Sequence, residues 1–215
     1  ILSANINYQH DFAFGDFTPT LKMGGYTEYR TREYNTRLFI YSWKNGLPSN
    51  YRVMNVPDEL MQDKNYGEDK LYLLEQVDWR NNYEGNNMLG AGYAGVNLPF
   101  GKWNIYAGVR FEHSRMELIS NTQKNEKSPT SVYYTYDDFF PSLNAAYRLN
   151  EQHQFRLSYG RTVNRPEFRE VSSSVYYDFD LASNVQGNYD LKAAYIDNID
   201  LGYEYYPSNG ELISV

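Results

Sequence analysis

Cysteine is absent from this sequence of 215 residues, which excludes both a disulfide framework and a thiolate metal site. Long apolar runs are also absent, since no stretch approaches the roughly 18 to 20 residues that a membrane-spanning helix needs. Positive charge is scarcer than negative charge, and the formal net charge is -7 with a pI near 5.0. These absences exclude a helical inner-membrane protein and a general binder of nucleic acid, which needs a basic surface.

The sequence also lacks the patterns that catalysis and metal binding require. The three histidines lie far apart and show no His-Glu-x-x-His spacing. Asp137-Asp138 and Asp178-x-Asp180 each bring only two carboxylates, whereas calcium takes about six to eight oxygens. Ser172–Ser174 lack the Gly-x-Ser-x-Gly context of a nucleophile elbow. We therefore predict no catalytic residue, no metal site, no cofactor and no enzymatic activity.

Tyrosine is the residue that the sequence has in excess. There are 23 tyrosines against 11 phenylalanines and 3 tryptophans. A ring with a polar end suits the two interfaces of a membrane, where one end of the side chain is apolar and the other is wet. The mean hydropathy of -0.71 is compatible with a membrane β-barrel, because only alternate residues of its strands meet lipid.

Apolar and polar residues alternate along much of the chain with the period of two that is typical of β-strands. The most regular strands run over about residues 103–112, 155–162 and 198–205. One face of these strands is apolar and is predicted to face lipid; it carries Ile105, Val109, Phe155, Leu157, Leu201 and Tyr203. The opposite face is predicted to line a lumen; it carries Arg110, Glu112, Arg156, Asp200 and Glu204.

Short and long connections between the strands alternate strictly. The long connections occupy about residues 43–82, 121–136 and 164–190. Transmembrane barrels show this alternation because their periplasmic turns are tight and their extracellular loops are long. The sequence therefore predicts an all-β, antiparallel, up-and-down transmembrane barrel segment that comprises residues 1–215, with these three loops extracellular.

The first long connection has local features of its own. The alternation of the second strand continues less regularly through Leu38 to about Ser42. Residues 57–62 or 70–76 then suggest a short helix. A connection of about 40 residues is uncommon in a compact domain and is usually functional where it occurs.

Amphipathic strands joined by turns also describe a soluble sandwich or a lipocalin-like barrel, whose apolar face would pack inside. Periodicity alone does not separate these two readings. Aromatic rings near the strand ends and the alternating loop lengths favour the membrane barrel.

Two stretches resemble the carboxy-terminal half of the barrel in TonB-dependent outer-membrane receptors. They are FFPSLNAAYRL, from Phe139 to Leu149, and FRLSYGRTVNRP, from Phe155 to Pro166. The segment GNYDLK, at residues 187–192, is similar to a Gly-Asn-Pro-Asp-Leu-Lys element of the same receptors, with Tyr189 where proline is usual. The resemblance covers the whole chain loosely and residues 137–211 closely.

The resemblance implies a barrel of about 22 strands with an amino-terminal plug, of which this chain would supply about eight strands and no plug. A closed eight-stranded barrel is the structural alternative. The implied location is the outer membrane of a Gram-negative bacterium. The implied partners are outer-membrane lipid, the rest of the barrel with its plug, and an inner-membrane energy-coupling complex that binds segments this chain lacks. A surface lipoprotein is a further candidate partner, and no nucleic acid is expected.

The function implied by the resemblance is energy-coupled import of a nutrient across the outer membrane. A passive porin or structural barrel is one alternative, and a soluble β-rich ligand-binding module is another. Rings and carboxylates cluster in the third long loop, and we predict that they contact a ligand. These candidates are Tyr176, Tyr177, Asp178, Phe179 and Asp180. Their alternative reading is an aromatic rim with solvated carboxylates.

Overall fold

The computed structural model describes residues 1–44, 61–67, 69–208 and 210–215, and strands dominate this part of the chain. The strands are β1 (Leu2–Asp11), β2 (Thr20–Tyr34), β3 (Leu38–Trp43), β4 (Leu71–Gln76), β5 (Tyr83–Phe100), β6 (Trp103–Asn121), β7 (Pro129–Arg148), β8 (His153–Asn164), β9 (Val175–Asp178), β10 (Ser183–Gln186), β11 (Ala194–Tyr205) and β12 (Ile213–Ser214). Helical structure in these ranges is limited to two 3-10 turns, Asp63–Asn65 and Trp79–Asn81. No helix of the described residues is long and apolar enough to cross a membrane.

Eight of the strands form one sheet, in the order β1-β2-β5-β6-β7-β8-β11-β12. Every neighbouring pair in this sheet is antiparallel. The two hairpins β3–β4 and β9–β10 lie outside this sheet and form two small sheets of their own. The predicted antiparallel, up-and-down arrangement of about eight strands is therefore confirmed.

One face of the large sheet is apolar and exposed. Side chains directly opposite each other on paired strands lie on the same face. One such row across four strands is Ile105, Ala145, Leu157 and Leu201. The next row is Trp103, Tyr147, Phe155 and Tyr203. We call this the open face, because large apolar side chains on it are exposed. Leu201, for example, is 79% exposed.

The other face is partly covered by the chain that follows β8. On β6 the covered positions alternate with exposed ones, and Ser114, Met116, Leu118 and Ser120 are at most 4% exposed. We call this the covered face. The chain that lies over it, residues 165–174, is the crossing segment.

The middle strands of the sheet are long. The strands β5, β6 and β7 contain 18, 19 and 20 residues, whereas about 9 to 11 residues suffice to cross a bilayer. Residues 129–136 were predicted as loop, but they form the first part of β7. Tyr133 pairs with Glu117 and Tyr136 pairs with Ser114, so the alternation continues there with aromatic and polar side chains on both faces.

The first long connection differs from its prediction in two places. Residues 38–42 do not extend the second strand of the large sheet, because β3 pairs with β4 instead. Residues 70–76 are not helical, because β4 is held extended by this pairing. Arg37 also donates two hydrogen bonds to Glu75, of 2.7 and 2.8 Å, and this arginine lowers the pKa of the Glu75 carboxyl. The predicted helix at residues 57–62 lies largely outside the described residues.

The short turns are closed by local backbone chemistry. Gly101 and Lys102 join β5 to β6, and Gly101 takes a φ of 57°, a left-handed conformation that glycine adopts without strain. In the turn from β7 to β8, the Asn150 side chain accepts hydrogen bonds from the backbone N–H groups of Gln152 and His153. Because each strand is antiparallel to the next, all these tight turns lie at one end of the sheet and the long connections lie at the other.

The substitution Leu157→Arg tests the assignment of the open face. If this face meets lipid, an arginine at mid-bilayer costs about 2 to 4 kcal/mol of folding free energy. Ser158→Arg is the matched control, since Ser158 lies on the opposite face, where its hydroxyl is 3.0 Å from Asp200. We expect a much smaller cost for the control in a denaturant titration of folding into lipid vesicles. Equal costs for the two variants would show that the facing is wrong.

Candidate functional site

The crossing segment begins where β8 can no longer continue. Pro166 has no N–H for the sheet ladder, and it disfavours a helical conformation at the residue before it, so the chain leaves the sheet extended at Arg165. A turn follows at once, in which the carbonyl oxygen of Glu167 accepts the N–H of Glu170 at 2.9 Å. The Glu170 carboxylate in turn accepts the N–H of Glu167. This local geometry directs the chain back over the covered face.

Apolar side chains fix the middle of the crossing segment. Phe168 and Val171 are 1% and 0% exposed, and they form a cluster with Tyr83, Met116 and Leu118 from the wall of the sheet. Burial of side chains of this size contributes about 1.5 to 3 kcal/mol each. Gly85 on β5 makes room for this cluster, because a Cβ atom there would lie 2.4 Å from the Phe168 ring.

Hydroxyl groups fix the end of the crossing segment. Ser172, Ser173 and Ser174 are buried, and the Ser173 hydroxyl lies 2.9 Å from the carbonyl oxygens of Arg80 and Asn121. Arg80 lies in the connection before β5, and Asn121 is the last residue of β6, so both carbonyl groups lie at the loop end of the sheet. The buried serines therefore tie the crossing segment to the rim of the sheet.

The chain returns to the sheet through a second close contact. A Cβ atom at Gly187 would lie 2.4 Å from the carbonyl oxygen of Ser172, so only glycine fits where the returning chain passes the crossing segment. The Tyr189 hydroxyl is then 2.9 Å from the Ser120 hydroxyl, and its carbonyl oxygen accepts a hydrogen bond from Tyr134. Tyr189 thus attaches the returning chain to β6 and β7.

A network of charged side chains lies where the crossing segment meets the covered face. Arg165 donates to Glu112 at 2.7 Å and to Asp138 at 2.8 Å. Arg110 donates to the second oxygen of Glu112 at 2.6 Å, and the Tyr195 hydroxyl donates to Asp138 at 2.7 Å. The network joins β6, β7 and β11 to the crossing segment.

The Arg165 network is largely shielded from solvent. The side chains of Arg165, Glu112 and Asp138 are 18%, 13% and 10% exposed. Burial by itself lowers the pKa of Arg165, but its hydrogen bonds to Asp138 and Glu112 outweigh this effect and raise the pKa above its ordinary value. Arg165 is therefore charged at any physiological pH.

A second polar group lies nearer the turn end of the covered face. Glu204 accepts hydrogen bonds from Gln154 and Tyr206 and forms an ion pair with Arg156 at 3.0 Å. Ser158 donates to Asp200 in the same region. Of these residues, Gln154, Arg156, Ser158 and Asp200 line a wide cavity of about 1180 Å³.

The five residues predicted to line a lumen therefore all lie on one face, in two separate groups. Arg110 and Glu112 belong to the Arg165 network, whereas Arg156, Asp200 and Glu204 belong to the turn-end group. The six residues predicted to face lipid all lie on the open face. Contact with a lumen or with lipid remains a prediction for both sets.

The five ligand-contact candidates lie on the hairpin β9–β10 and do not form one cluster. The Asp178 carboxylate closes the hairpin turn by accepting the N–H groups of Asp180 and Leu181. Tyr176 packs under the Arg169 guanidinium, 3.3 Å from the ring centre. Phe179 is 87% exposed and forms an edge contact with the Tyr177 ring, so these two rings are the most available. Ligand contact by the five remains a prediction.

Adjacent aspartates in a strand cannot act together as metal ligands. Asp137 contacts His113 on the open face at 2.7 Å, whereas Asp138 contacts Arg165 on the covered face. Within the described ranges, no group of three or more His, Cys, Asp or Glu side chains could hold a metal ion.

Several residues of this site were not predicted from the sequence. They are Gly85, Asp138, Arg165, Phe168 and Tyr195. The Asn-Arg-Pro stretch marked the end of a strand, but nothing in it showed that the arginine turns back onto the sheet. The partners of Arg165 lie 53 and 27 positions away, so the network depends on the strand pairing.

Comparison with known proteins identifies the family. Residues 58–214 match the model of the outer membrane protein beta-barrel family. The chain therefore belongs to this family, and its location is the outer membrane. A search of curated protein sequences finds no match to the chain.

Three solved structures share the fold. The chain is similar to the ferric citrate transporter FecA in its unliganded form, with 15% identity and a TM-score of 0.58 over 94% of this chain and 24% of that one. The ferric-catecholate import receptor Fiu from E. coli K12 is 14% identical to the chain, with a TM-score of 0.59 over 99% of this chain and 30% of that one. The siderophore receptor PiuA from Acinetobacter baumannii is 11% identical to the chain, with a TM-score of 0.56 over 94% of this chain and 29% of that one. The chain thus spans less than a third of each, and the predicted resemblance to TonB-dependent receptors is confirmed at the level of the fold.

Gly85→Ala should loosen the crossing segment. The new methyl group would meet the Phe168 ring, and overpacking of this kind costs about 1 to 3 kcal/mol. Hydrogen exchange of residues 165–174 should therefore become faster. Gly90→Ala on the same strand is the matched control, because no atom lies within 4 Å of its added Cβ. Unchanged exchange in the Gly85 variant would contradict the packing.

Arg165→Met should destabilise the same segment by removing the charge between two carboxylates. Breaking a buried, hydrogen-bonded ion pair in this way costs about 3 kcal/mol or more, because the partners remain buried without compensation. The urea midpoint of unfolding should fall, and protease cleavage within residues 166–174 should accelerate. Arg115→Met is the control, since Arg115 is exposed and stacks on Tyr133 outside this network. A similar loss in both variants would mean that the network has no special role.

Proposed function

We propose that this chain forms part of the wall of an energy-coupled receptor that imports a nutrient across the outer membrane. The observation that carries the proposal is the crossing segment, which is anchored by its own ion pairs and apolar cluster over the polar face of a family barrel sheet. The likeness in fold to the citrate, catecholate and siderophore receptors supports it.

The two faces of the sheet suit the two surfaces of a membrane barrel. We assign the open face to lipid, because its apolar rows are exposed in the chain and would find an apolar solvent in the bilayer. We assign the covered face to the lumen, because its charged side chains are paired with one another and because two of them, Arg156 and Asp200, line a wide cavity. The long connections at the opposite end from the tight turns are then extracellular.

A receptor fits this arrangement better than a passive porin. A porin keeps an aqueous channel open through its barrel. Here the crossing segment is packed against the inner wall and would narrow the passage beside β5, β6 and β7. The soluble ligand-binding module is incompatible with the outer-membrane location. We also propose that the chain has no catalytic role.

Import would require parts beyond the residues described. By analogy with the receptor fold, these parts are the remaining strands of a barrel of about 22 strands, a plug within it, and an inner-membrane complex that supplies energy. A surface lipoprotein that assists capture is a further candidate partner. The exposed rings of Tyr177 and Phe179 would meet the nutrient first.

Uptake measurements in a strain that lacks the gene encoding this chain test the proposal. We expect the uptake of one scarce nutrient to be lost in this strain, and to be lost equally when the inner-membrane energy-coupling complex is deleted. Restoring the gene should restore uptake only when that complex is present. Uptake that depends on the gene but not on the complex would instead identify a passive porin.

A further inference from the structure

On β6 the open face carries an apolar band with a defined height. Trp103 stands at the turn end of this band. His113 stands at its loop end, 2.7 Å from Asp137. The open-face side chains between the two are all apolar: Ile105, Ala107, Val109 and Phe111. Trp103 and His113 are ten positions apart. This separation is about 34 Å of strand, or about 24 Å of membrane height at a tilt of about 45°, and agrees with the apolar band of about 25 Å in transmembrane barrels.

A hollow of about 590 Å³ lies in the loop-end half of this band. Its floor consists of Gly25 on β2 and Gly92 on β5, which pair with each other, and of Ala94. Larger side chains stand around this floor: Ile6, Tyr8, Met23 and Val109. The side chains that line the hollow on this face are apolar apart from the phenol of Tyr8. The volume lies within the roughly 300 to 1,000 Å³ of pockets that hold small ligands.

No neighbouring atom requires glycine at this floor. A Cβ atom would lie 3.7 Å from its nearest neighbours at Gly25 and 3.9 Å from its nearest neighbour at Gly92, which is ordinary contact. Glycine inside a strand often marks a bulge, a bend, or a place where a ligand or another backbone approaches closely. The pairing of β2 with β5 is continuous over all 15 residues of β2, so no bulge accounts for these glycines. What they provide is room above the sheet.

The hollow is open toward the loop end and closed toward the turn end. Toward the loop end, the next open-face positions have small side chains or none, and they are Ala4, Thr27 and Gly90. Toward the turn end, the next open-face positions have larger side chains, and they are His10, Leu21 and Val96. A long, narrow ligand therefore enters from the loop end, which is the extracellular end in the proposed function.

A lipid acyl chain has the shape and the chemistry that this hollow requires. It is unbranched and apolar, and it is the component of the bilayer that surrounds the band of a membrane barrel. On a flat wall an acyl chain contacts protein on one side only. In the hollow it contacts the floor and the side chains on both flanks, and each additional contact adds dispersion attraction.

We propose that the hollow binds one acyl chain of a lipid in the outer leaflet. The chain enters between Thr27 and Gly90, and its end packs against Met23. The inference rests on the proposed function, because it requires that the open face meets lipid and that the loop end is extracellular. The bound chain fills the space above Gly25 and Gly92 and completes the packing of this part of the wall.

Photolabelling in vesicles tests the site. The full-length protein is reconstituted in phosphatidylcholine vesicles that contain some phosphatidylcholine with a diazirine in one acyl chain, and the labelled residues are mapped by mass spectrometry. Because a chain in the hollow contacts protein on three sides, we expect about threefold or more label there relative to Leu143 and Leu157 on the same face. A diazirine near the headgroup should label around Thr27, and one at the chain end should label around Met23.

Variants that fill the hollow locate the binding. Gly92→Leu should reduce the label at Tyr8 and Met23 to the level of the surrounding band, because the new side chain occupies the space of the acyl chain. Gly25→Leu fills the hollow from the other strand and should have the same effect. Ala145→Leu is the control, since it places the same side chain on the open face of β7, outside the hollow. If neither glycine variant folds, the order of the two depth-specific labels in the unaltered protein decides.

Three results would overturn the inference. They are uniform labelling along the open face, depth-specific labels in the reverse order, and a dimer of the protein that Gly92→Leu abolishes, which would make a second copy the occupant. Failure here is distinct from failure of the import proposal. Uniform labelling with energised uptake intact removes only the lipid site. A complete lack of label on the open face would show that this face does not meet lipid, and the proposed function would then fail as well.

Discussion

The arrangement of the loop end depends on the ion pairs of one guanidinium group. Arg165 stands where the chain leaves β8, and its two terminal nitrogens are shared between Glu112 on β6 and Asp138 on β7. The carboxylates need this cation, because they are largely buried on a polar wall and would otherwise repel each other. The crossing segment needs the carboxylates, because without them its first residue would carry an uncompensated charge onto the sheet. The arginine cation and the two carboxylates therefore compensate the cost of each other's burial.

The apolar cluster beside these ion pairs covers apolar side chains that the long strands carry at the loop end. The strands β5 to β7 are about twice as long as a bilayer requires, so their loop-end halves cannot rely on lipid to cover apolar side chains. The crossing segment covers Met116 and Leu118 there, with Phe168 set against Gly85. The loop-end half of the wall thus has a small apolar core of its own, whose stability does not depend on lipid.

The sequence predicted the part of the fold in which each face of a strand keeps one environment. The period of two is regular in β8 and β11, and the division of their side chains between the two faces of the sheet followed from it. The pattern failed in the first part of β7, where Tyr133 and Tyr134 put rings on both faces, and in β4, where Leu71 to Leu74 give a helix-like composition. The Arg165 network could not be predicted, because the two carboxylates come from distant positions and because Asp137 and Asp138 look like a pair but point to opposite faces.

The crossing segment also leads into the hairpin β9–β10. Its last residues, Ser172 to Ser174, come directly before β9. A two-stranded hairpin alone is marginally stable in water. Here its base is held, since the Val175 N–H donates to Asn81 and Gln186 donates to the Ser173 carbonyl. The exposed Phe179 ring is therefore carried on a hairpin whose two strands are both held at the base.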